Sequence, residues 1–206
     1  MEALRLLGAR CVRVLGETDD GLLLEDIVPG TPVTELPDEE ATLALAGALL
    51  ELWRPVPPGC GLPTVEQDCA PLMADLGLPA SLVGPARAAL AQLLATPPEP
   101  VLLHGDLHHG NLLRGPAGWV VIDPHGVVGD PGYDVGPLLL NPQQRDAAGL
   151  ASRRLDLLAG VLPVGRERLR QWGLVRAGLA CSWSVAAGEQ PPAPFLAVGH
   201  ALAGAA

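Results

Sequence analysis

The sequence predicts an α+β fold: a small antiparallel sheet near the N-terminus, then a mostly helical body broken by one polar loop region. Three observations predict it. Two short apolar runs, Cys11–Leu15 and Leu22–Leu24, flank the turn-rich stretch Glu17–Gly21. From Pro37 onward, long apolar segments recur at helical spacing. Between residues 101 and 141 that spacing stops, and short apolar runs alternate with Gly, His and Asp.

The elements follow in order. Met1–Leu7 reads as the tail of a helix, and Gly8 stops it. Cys11–Leu15 and Leu22–Leu24 form a hairpin that the Pro and Gly of Ile27–Pro32 break off. Two strands cannot bury both their faces, so this hairpin reads as the remnant of a larger sheet. Pro37 suits a first helical turn, and Asp38, Glu39 and Glu40 favour the positive end of the helix dipole. Leu43, Ala46, Leu50 and Trp53 share one face of that helix, while Leu45, Leu49 and Leu52 make it apolar almost all round; such a helix is expected to be buried. After a Pro/Gly loop, Thr64 and Gln67 have the spacing of a capping box, and Pro71 is expected to kink the short helix that follows or to end its first turn. Further helices are expected at Ser81–Leu94, Asp146–Gly160, Arg166–Ala187 and Pro194–Ala203.

Composition bounds the function. The 206 residues fill one ordinary domain or slightly more, and an apolar share of 49% with 17% charged residues excludes general disorder. Leu, Ala and Val must do most of the packing, because the aromatic residues are four Trp, one Tyr and one Phe. A net charge of −10 argues against nucleic acid as a partner and permits a cationic one. No apolar stretch approaches the roughly 20 residues that span a bilayer, so no membrane partner is expected. Cys11, Cys60, Cys69 and Cys181 show neither C-x-x-C nor zinc spacing, and no secretory signal opens the chain. Free, buried thiols in the cytoplasm are the expectation. All thirteen basic residues are arginines; there is no lysine.

The chemistry lies in the central region. Val101–Leu103 delivers the chain to His104-Gly105-Asp106-Leu107-His108-His109-Gly110-Asn111, and Trp119-Val120-Val121-Ile122 ends in Asp123. A hairpin turning at Gly115–Gly118 would bring Asp106, Asn111 and Asp123 together. Two carboxylates and a carboxamide at one place fit a magnesium–phosphate site, because that hard cation takes oxygen ligands. Singly, each of the three could equally be a loop-capping Asx residue. His104, His108 and His109 lack the order of a zinc site and read as solvated or packed histidines. Asp130 could face a cationic substrate or simply begin the next turn.

The spacing H-x-D-L-x-x-x-N, followed by an aspartate at a strand end, is that of a kinase catalytic loop with its metal-binding aspartate. Together with Ile122-Asp123-Pro124-His125-Gly126-Val127-Val128-Gly129-Asp130-Pro131-Gly132-Tyr133-Asp134-Val135-Gly136, it resembles the aminoglycoside phosphotransferases, and within them the streptomycin/hydroxyurea resistance branch. The resemblance implies a protein-kinase-like fold, with a mostly helical C-terminal lobe and an incomplete N-terminal β lobe. Residues 1–33 would then be a remnant of the nucleotide-binding lobe and hinge, and residues 34–206 the catalytic and substrate lobe. It implies ATP and Mg2+ as cofactors, Asp106 as the catalytic base, and Asn111 and Asp123 as metal ligands. His104 and Asp134 would support the catalytic loop. Backbone groups of Glu25 and Ile27 would hold adenine, and Glu2 matches the glutamate that pairs the family's ATP-binding lysine.

That lysine and the phosphate-covering loop have no counterpart in the chain, and His125 stands where this branch commonly has lysine. The resemblance therefore implies an N-terminally truncated kinase with little turnover, since positioning and charge stabilisation carry phosphoryl transfer. The implied reaction is phosphorylation of a hydroxyl on a streptomycin-like aminoglycoside or hydroxyurea, a small-molecule acceptor and in the first case a cationic one. The alternative is a catalytically dead remnant that binds a ligand. No feature of the sequence sets an oligomeric state.

Overall fold

In this computed structural model, residues 2–19, 21–142 and 146–204 are described; Met1 of the first helical segment and Asp20 of the first turn lie outside them. Helix α1 (Glu2–Leu7) buries Ala3 and Leu7 and passes into a 3-10 turn at Gly8, whose φ of +72° only glycine adopts freely. The hairpin is β1 (Val14–Thr18) and β2 (Gly21–Leu24), paired antiparallel with an irregular register between Val14 and Gly16. The first strand begins three residues later than the sequence suggested. Cys11 instead bridges to Val121 and Val12 N–H donates to the Val121 carbonyl, so the segment before β1 is strapped to the central region. Leu15 and Leu23 stand exposed on the hairpin, which gains no third strand among the described residues.

Strand β3 (Thr31–Pro32) leads through a 3-10 turn to α2 (Asp38–Leu52), with Pro37 at the N-cap rather than inside the first turn. Leu45, Leu49 and Leu52 of α2 are buried, but Leu43 and Leu50 are exposed. The expectation of burial all round is therefore corrected: only one face of α2 finds a partner. Strand β4 (Arg54–Pro55) is followed by α3 (Val65–Asp68), where both hydrogen bonds of the Thr64–Gln67 capping box form. A 3-10 turn at Ala70–Met73 carries Pro71 as its second residue and leads to α4 (Ala80–Ala95).

The central region holds β5 (Val101–Leu103), a 3-10 turn (His109–Asn111), β6 (Leu112–Gly115), β7 (Gly118–Val121), β8 (Val127–Gly129) and a second 3-10 turn (Pro131–Asp134). Helices α5 (Val135–Leu140), α6 (Ala147–Val161), α7 (Arg166–Ala186) and α8 (Ala193–Gly204) complete the chain. β6 and β7 form the expected hairpin, with Gly115 opposite Gly118 and β3 along its other edge. β5 lies between β4 and β8 in a separate antiparallel sheet.

The core gathers around α7, which packs against α4, α5 and α8 and buries Leu169, Trp172, Leu174, Val175, Leu179 and Cys181. Of the four thiols, none of which is paired, Cys11, Cys69 and Cys181 are buried, whereas Cys60 is only half-buried, against expectation. Among the described residues no helix is long and apolar enough to cross a membrane.

Two glycines let α7 approach. A Cβ on Gly136 would lie 2.4 Å from Arg176 Cβ, and one on Gly132 would lie 2.5 Å from Trp172 Cδ1. A Cβ that close to another Cβ cannot be relieved by a rotamer; the helix must move. Gly136→Ala is therefore expected to cost about 1–3 kcal/mol by overpacking. Urea denaturation should show a lower midpoint with an unchanged slope.

Candidate active site

The apolar strand β5 runs through the interior and ends at His104, so the polar loop begins from a fixed point. Asp134, wholly buried, holds that loop by its backbone. Its Oδ1 accepts the Gly105 N–H at 2.7 Å, and its Oδ2 accepts the His104 N–H and the Trp53 Nε1–H, both at 3.1 Å. Burial pushes the Asp134 carboxyl up to about 6, against the lowering effect of these three donors. His104 is also wholly buried; its Nε2 lies 3.0 Å from the Ile122 carbonyl, and its Nδ1 accepts the Asp106 N–H at 3.1 Å. A ring that accepts at Nδ1 and faces a carbonyl with Nε2 is the neutral Nε2–H tautomer. Burial accordingly lowers its pKa to about 4. His104 thus links the loop to the end of β7.

Asp106 leaves this frame half-exposed. Arg176 of α7, itself buried, reaches its Oδ1 at 2.6 Å through Nη2. The same guanidinium donates through Nη1 to the Gly105 carbonyl at 3.0 Å and the Tyr133 hydroxyl at 3.1 Å, and it stacks 4.8 Å from the Trp183 ring centroid. Tyr133 hydrogen-bonds Asp68, whose other oxygen lies 2.9 Å from His125 Nε2. Burial of Asp68 works to raise its carboxyl pKa, but the hydrogen bonds from His125 and Tyr133 prevail and hold it below the usual range. The bond to Asp68 in turn raises His125.

The Asn111 carboxamide donates through Nδ2 to the Asp106 carbonyl at 3.0 Å, and the Asn111 carbonyl accepts the Ile122 N–H at 3.0 Å. Asn111 is in this way tied to the Asp106 loop on one side and to the residue before Asp123 on the other. Its Oδ1 accepts no hydrogen bond among the described residues, so it is free for a cation. Asp123 is exposed and has φ +54°, the one positive value outside glycine among the described residues. Asx residues tolerate this backbone best, and such strained positions concentrate at functional sites. Asn111 and Asp123 thus supply hard oxygen donors on adjoining turns, and their chemistry fits Mg2+ completed by phosphate oxygens. Among the described residues no group of three or more His, Cys, Asp or Glu could hold a metal; a Mg2+ site here would draw on one carboxylate, one carboxamide and its substrate.

Asp123 also lines a cavity of about 590 Å3 with Glu25, Asp26, Ile27, Leu24, Leu113 and Ile122. The Glu25 N–H donates to the Arg13 carbonyl at 2.9 Å. Its own carbonyl and the Ile27 N–H are engaged by nothing among the described residues, which leaves one acceptor and one donor at the cavity wall.

His104, Asp106, Asn111, Asp123, Asp134, Glu25 and Ile27 lie on this loop, on the turn after β7, on the Asp134 anchor or on the cavity wall. Asp130 does not face the site: it is buried and holds the Gly132 N–H, Trp172 Nε1–H and Arg168 Nε–H. Glu2 accepts the Gly61 N–H at 2.8 Å. Arg176, Tyr133, Asp68 and Trp53 were not read from the sequence as site residues. The one available signal was a charge in the apolar middle of α7.

Comparison with known proteins comes to the same place. The family described as aminoglycoside/hydroxyurea antibiotic resistance kinase matches residues 6–188. The hydroxyurea phosphotransferase of Kitasatospora aureofaciens is 37% identical over 216 residues, covering 97% of this chain and 62% of that protein. The chain thus spans less than two thirds of that relative's length. The streptomycin 3''-kinase of Klebsiella pneumoniae is 30% identical over 194 residues, covering 88% of this chain and 73% of that protein. Among solved structures, a choline kinase from Streptococcus pneumoniae superposes with a TM-score of 0.65 at 16% identity, over 97% of this chain and 77% of that one. A thermostable mutant of an aminoglycoside phosphotransferase, in ternary complex with ADP and hygromycin B, gives 0.64 at 18% identity, over 100% and 83%. The fold is protein-kinase-like, as the motif implied.

The buried titratable groups set a pH dependence. Asp134 is raised above its unfolded value, so its contribution is present at low pH and is lost as pH rises to about 6. His104 and His109, lowered by burial to about 4 and about 3, contribute in the opposite sense: their stability is present above about 6.5 and is lost as pH falls. Two histidines oppose one carboxylate. The urea midpoint should therefore fall as pH is lowered from 6.5 to 4, and His109→Leu should flatten that slope.

Proposed function

Because this chain belongs to the aminoglycoside/hydroxyurea antibiotic resistance kinase family, we propose that it transfers the γ-phosphoryl group of ATP to a hydroxyl of a streptomycin-like aminoglycoside or of hydroxyurea. One observation carries the reading. Asp106 is held by Arg176 at one carboxylate oxygen and half-exposed, while the Asn111 carboxamide holds its backbone carbonyl and the Asn111 carbonyl holds the residue before Asp123.

In this reading Asp106 Oδ2 accepts or orients the proton of the acceptor hydroxyl, whose oxygen bonds to the γ-phosphorus as the bridging bond to ADP breaks. Arg176 fixes the carboxylate in direction through a charge-assisted pair. Asn111 and Asp123 would hold Mg2+, which would supply charge neutralisation at the phosphate oxygens. The Glu25 carbonyl and Ile27 N–H take the adenine edge in the cavity that Asp123 also lines. Residues 1–33 then form the nucleotide side with its hinge and residues 34–206 the catalytic and acceptor side. The net charge of −10 favours approach of a polycationic acceptor. A requirement for ATP fits a cytoplasmic location.

A second outcome on the same site is ATP uptake without transfer, which would make the chain a ligand-binding module.

The test is transfer of labelled γ-phosphate to streptomycin and to hydroxyurea, alongside calorimetric ATP binding. Asp106→Asn should lower transfer by about 10²–10⁴-fold, the usual contribution of a positioned acid–base group, with ATP affinity retained. A variant as fast as the parent removes Asp106 from the role of base.

A further inference from the structure

Resting on the phosphotransferase reading, we propose that His108 is a second substrate-contacting residue, whose Nε2–H and Asp106 Oδ2 together hold the acceptor hydroxyl.

The ring is fixed from one side. His108 Nδ1 accepts the Gly110 N–H at 3.0 Å as the N-cap of the 3-10 turn. A nitrogen that accepts carries no proton, so the single ring proton sits on Nε2. Gly110 permits this contact: a Cβ there would lie 3.0 Å from His108 Cε1 and 3.2 Å from Nδ1. The ring therefore lies against the bare backbone of Gly110.

The free edge of the ring faces the free oxygen of the aspartate. His108 Nε2 stands 3.9 Å from Asp106 Oδ2, while Arg176 occupies Oδ1 at 2.6 Å. A separation of 3.9 Å is too long for a direct hydrogen bond and suits a third atom between the two. An oxygen about 2.8 Å from both would subtend an angle of roughly 90°, which a hydroxyl accommodates by donating to one and accepting from the other. Both side chains are open on this side, with exposures of 29% for His108 and 41% for Asp106, against 6% for Arg176. The acceptor oxygen would give its proton to Asp106, receive the Nε2–H in one lone pair, and keep the other for phosphorus. His108 retains its proton throughout.

Two substitutions separate this role from capping. His108→Asn keeps an oxygen for the Gly110 N–H, since Asn is a good cap, but removes the Nε2–H. His108→Gln keeps an N–H at the reach of Nε2 and loses the cap. Binding of streptomycin and of hydroxyurea is measured by calorimetry in the presence of AMP-PNP and Mg2+, so that no turnover is needed. His108→Asn should weaken acceptor binding roughly tenfold at unchanged AMP-PNP affinity, the loss of about one hydrogen bond, while His108→Gln stays near the parent. Parent-like binding by His108→Asn, or equal weakening in both variants, overturns the role of His108 alone. A parent chain that binds AMP-PNP but neither acceptor overturns the acceptor assignment with it, and one that binds no nucleotide overturns the phosphotransferase reading itself.

Discussion

The site depends on one buried carboxylate. Asp134 is wholly buried, and the three N–H groups that converge on it come from Trp53 after α2 and from His104 and Gly105 after β5. Leaving a buried charge without donors is far costlier than any one of these bonds is worth, so the three donors are held together as a set. The loop that carries Asp106 starts from Gly105, with φ +83°, and its direction is thereby inherited from the core rather than from the surface.

Helix α7 supplies the second constraint. Arg176 sits in an otherwise apolar stretch and is buried, which is tolerable only because Asp106, the Gly105 carbonyl and the Tyr133 hydroxyl satisfy it. The glycines at 132 and 136 let that helix lie close enough for the guanidinium to reach the loop. The Gly-Asp-Pro-Gly-Tyr-Asp-Val-Gly run therefore does two jobs: its aspartates accept backbone and side-chain donors, and its glycines set a helix-to-turn spacing. Asp130, ambiguous in the sequence, belongs to the first of these jobs.

What the sequence made legible is local. Asp106, Asn111 and Asp123 lie within eighteen residues of one another along a loop and one hairpin, and a two-strand turn is enough to predict that Asn111 is tied to Asp106 on one side and to the residue before Asp123 on the other. The Thr64 cap and the helix spans were legible for the same reason. Arg176 is 70 positions from Asp106, and Asp68 is 57 from His125, so those pairs depend on tertiary packing that spacing cannot reveal. Helix α2 failed differently: with leucines on every side, the sequence does not say which of them meets the core, and Leu43 and Leu50 ended outside. The start of β1 was displaced because Cys11 and Val12 found a better partner in Val121 than in the hairpin.

The distribution of thiols has a practical side. Burial raises Cys11 and Cys181 to about 11 and Cys69 to about 12, so their thiolate fractions at neutral pH are minute. Cys60 is the one left partly in solvent, on the loop whose Gly61 is tied to Glu2 of the first helix. A maleimide dye would thus attach at one place without mutagenesis, and its fluorescence would report whether that N-terminal helix stays docked when nucleotide arrives.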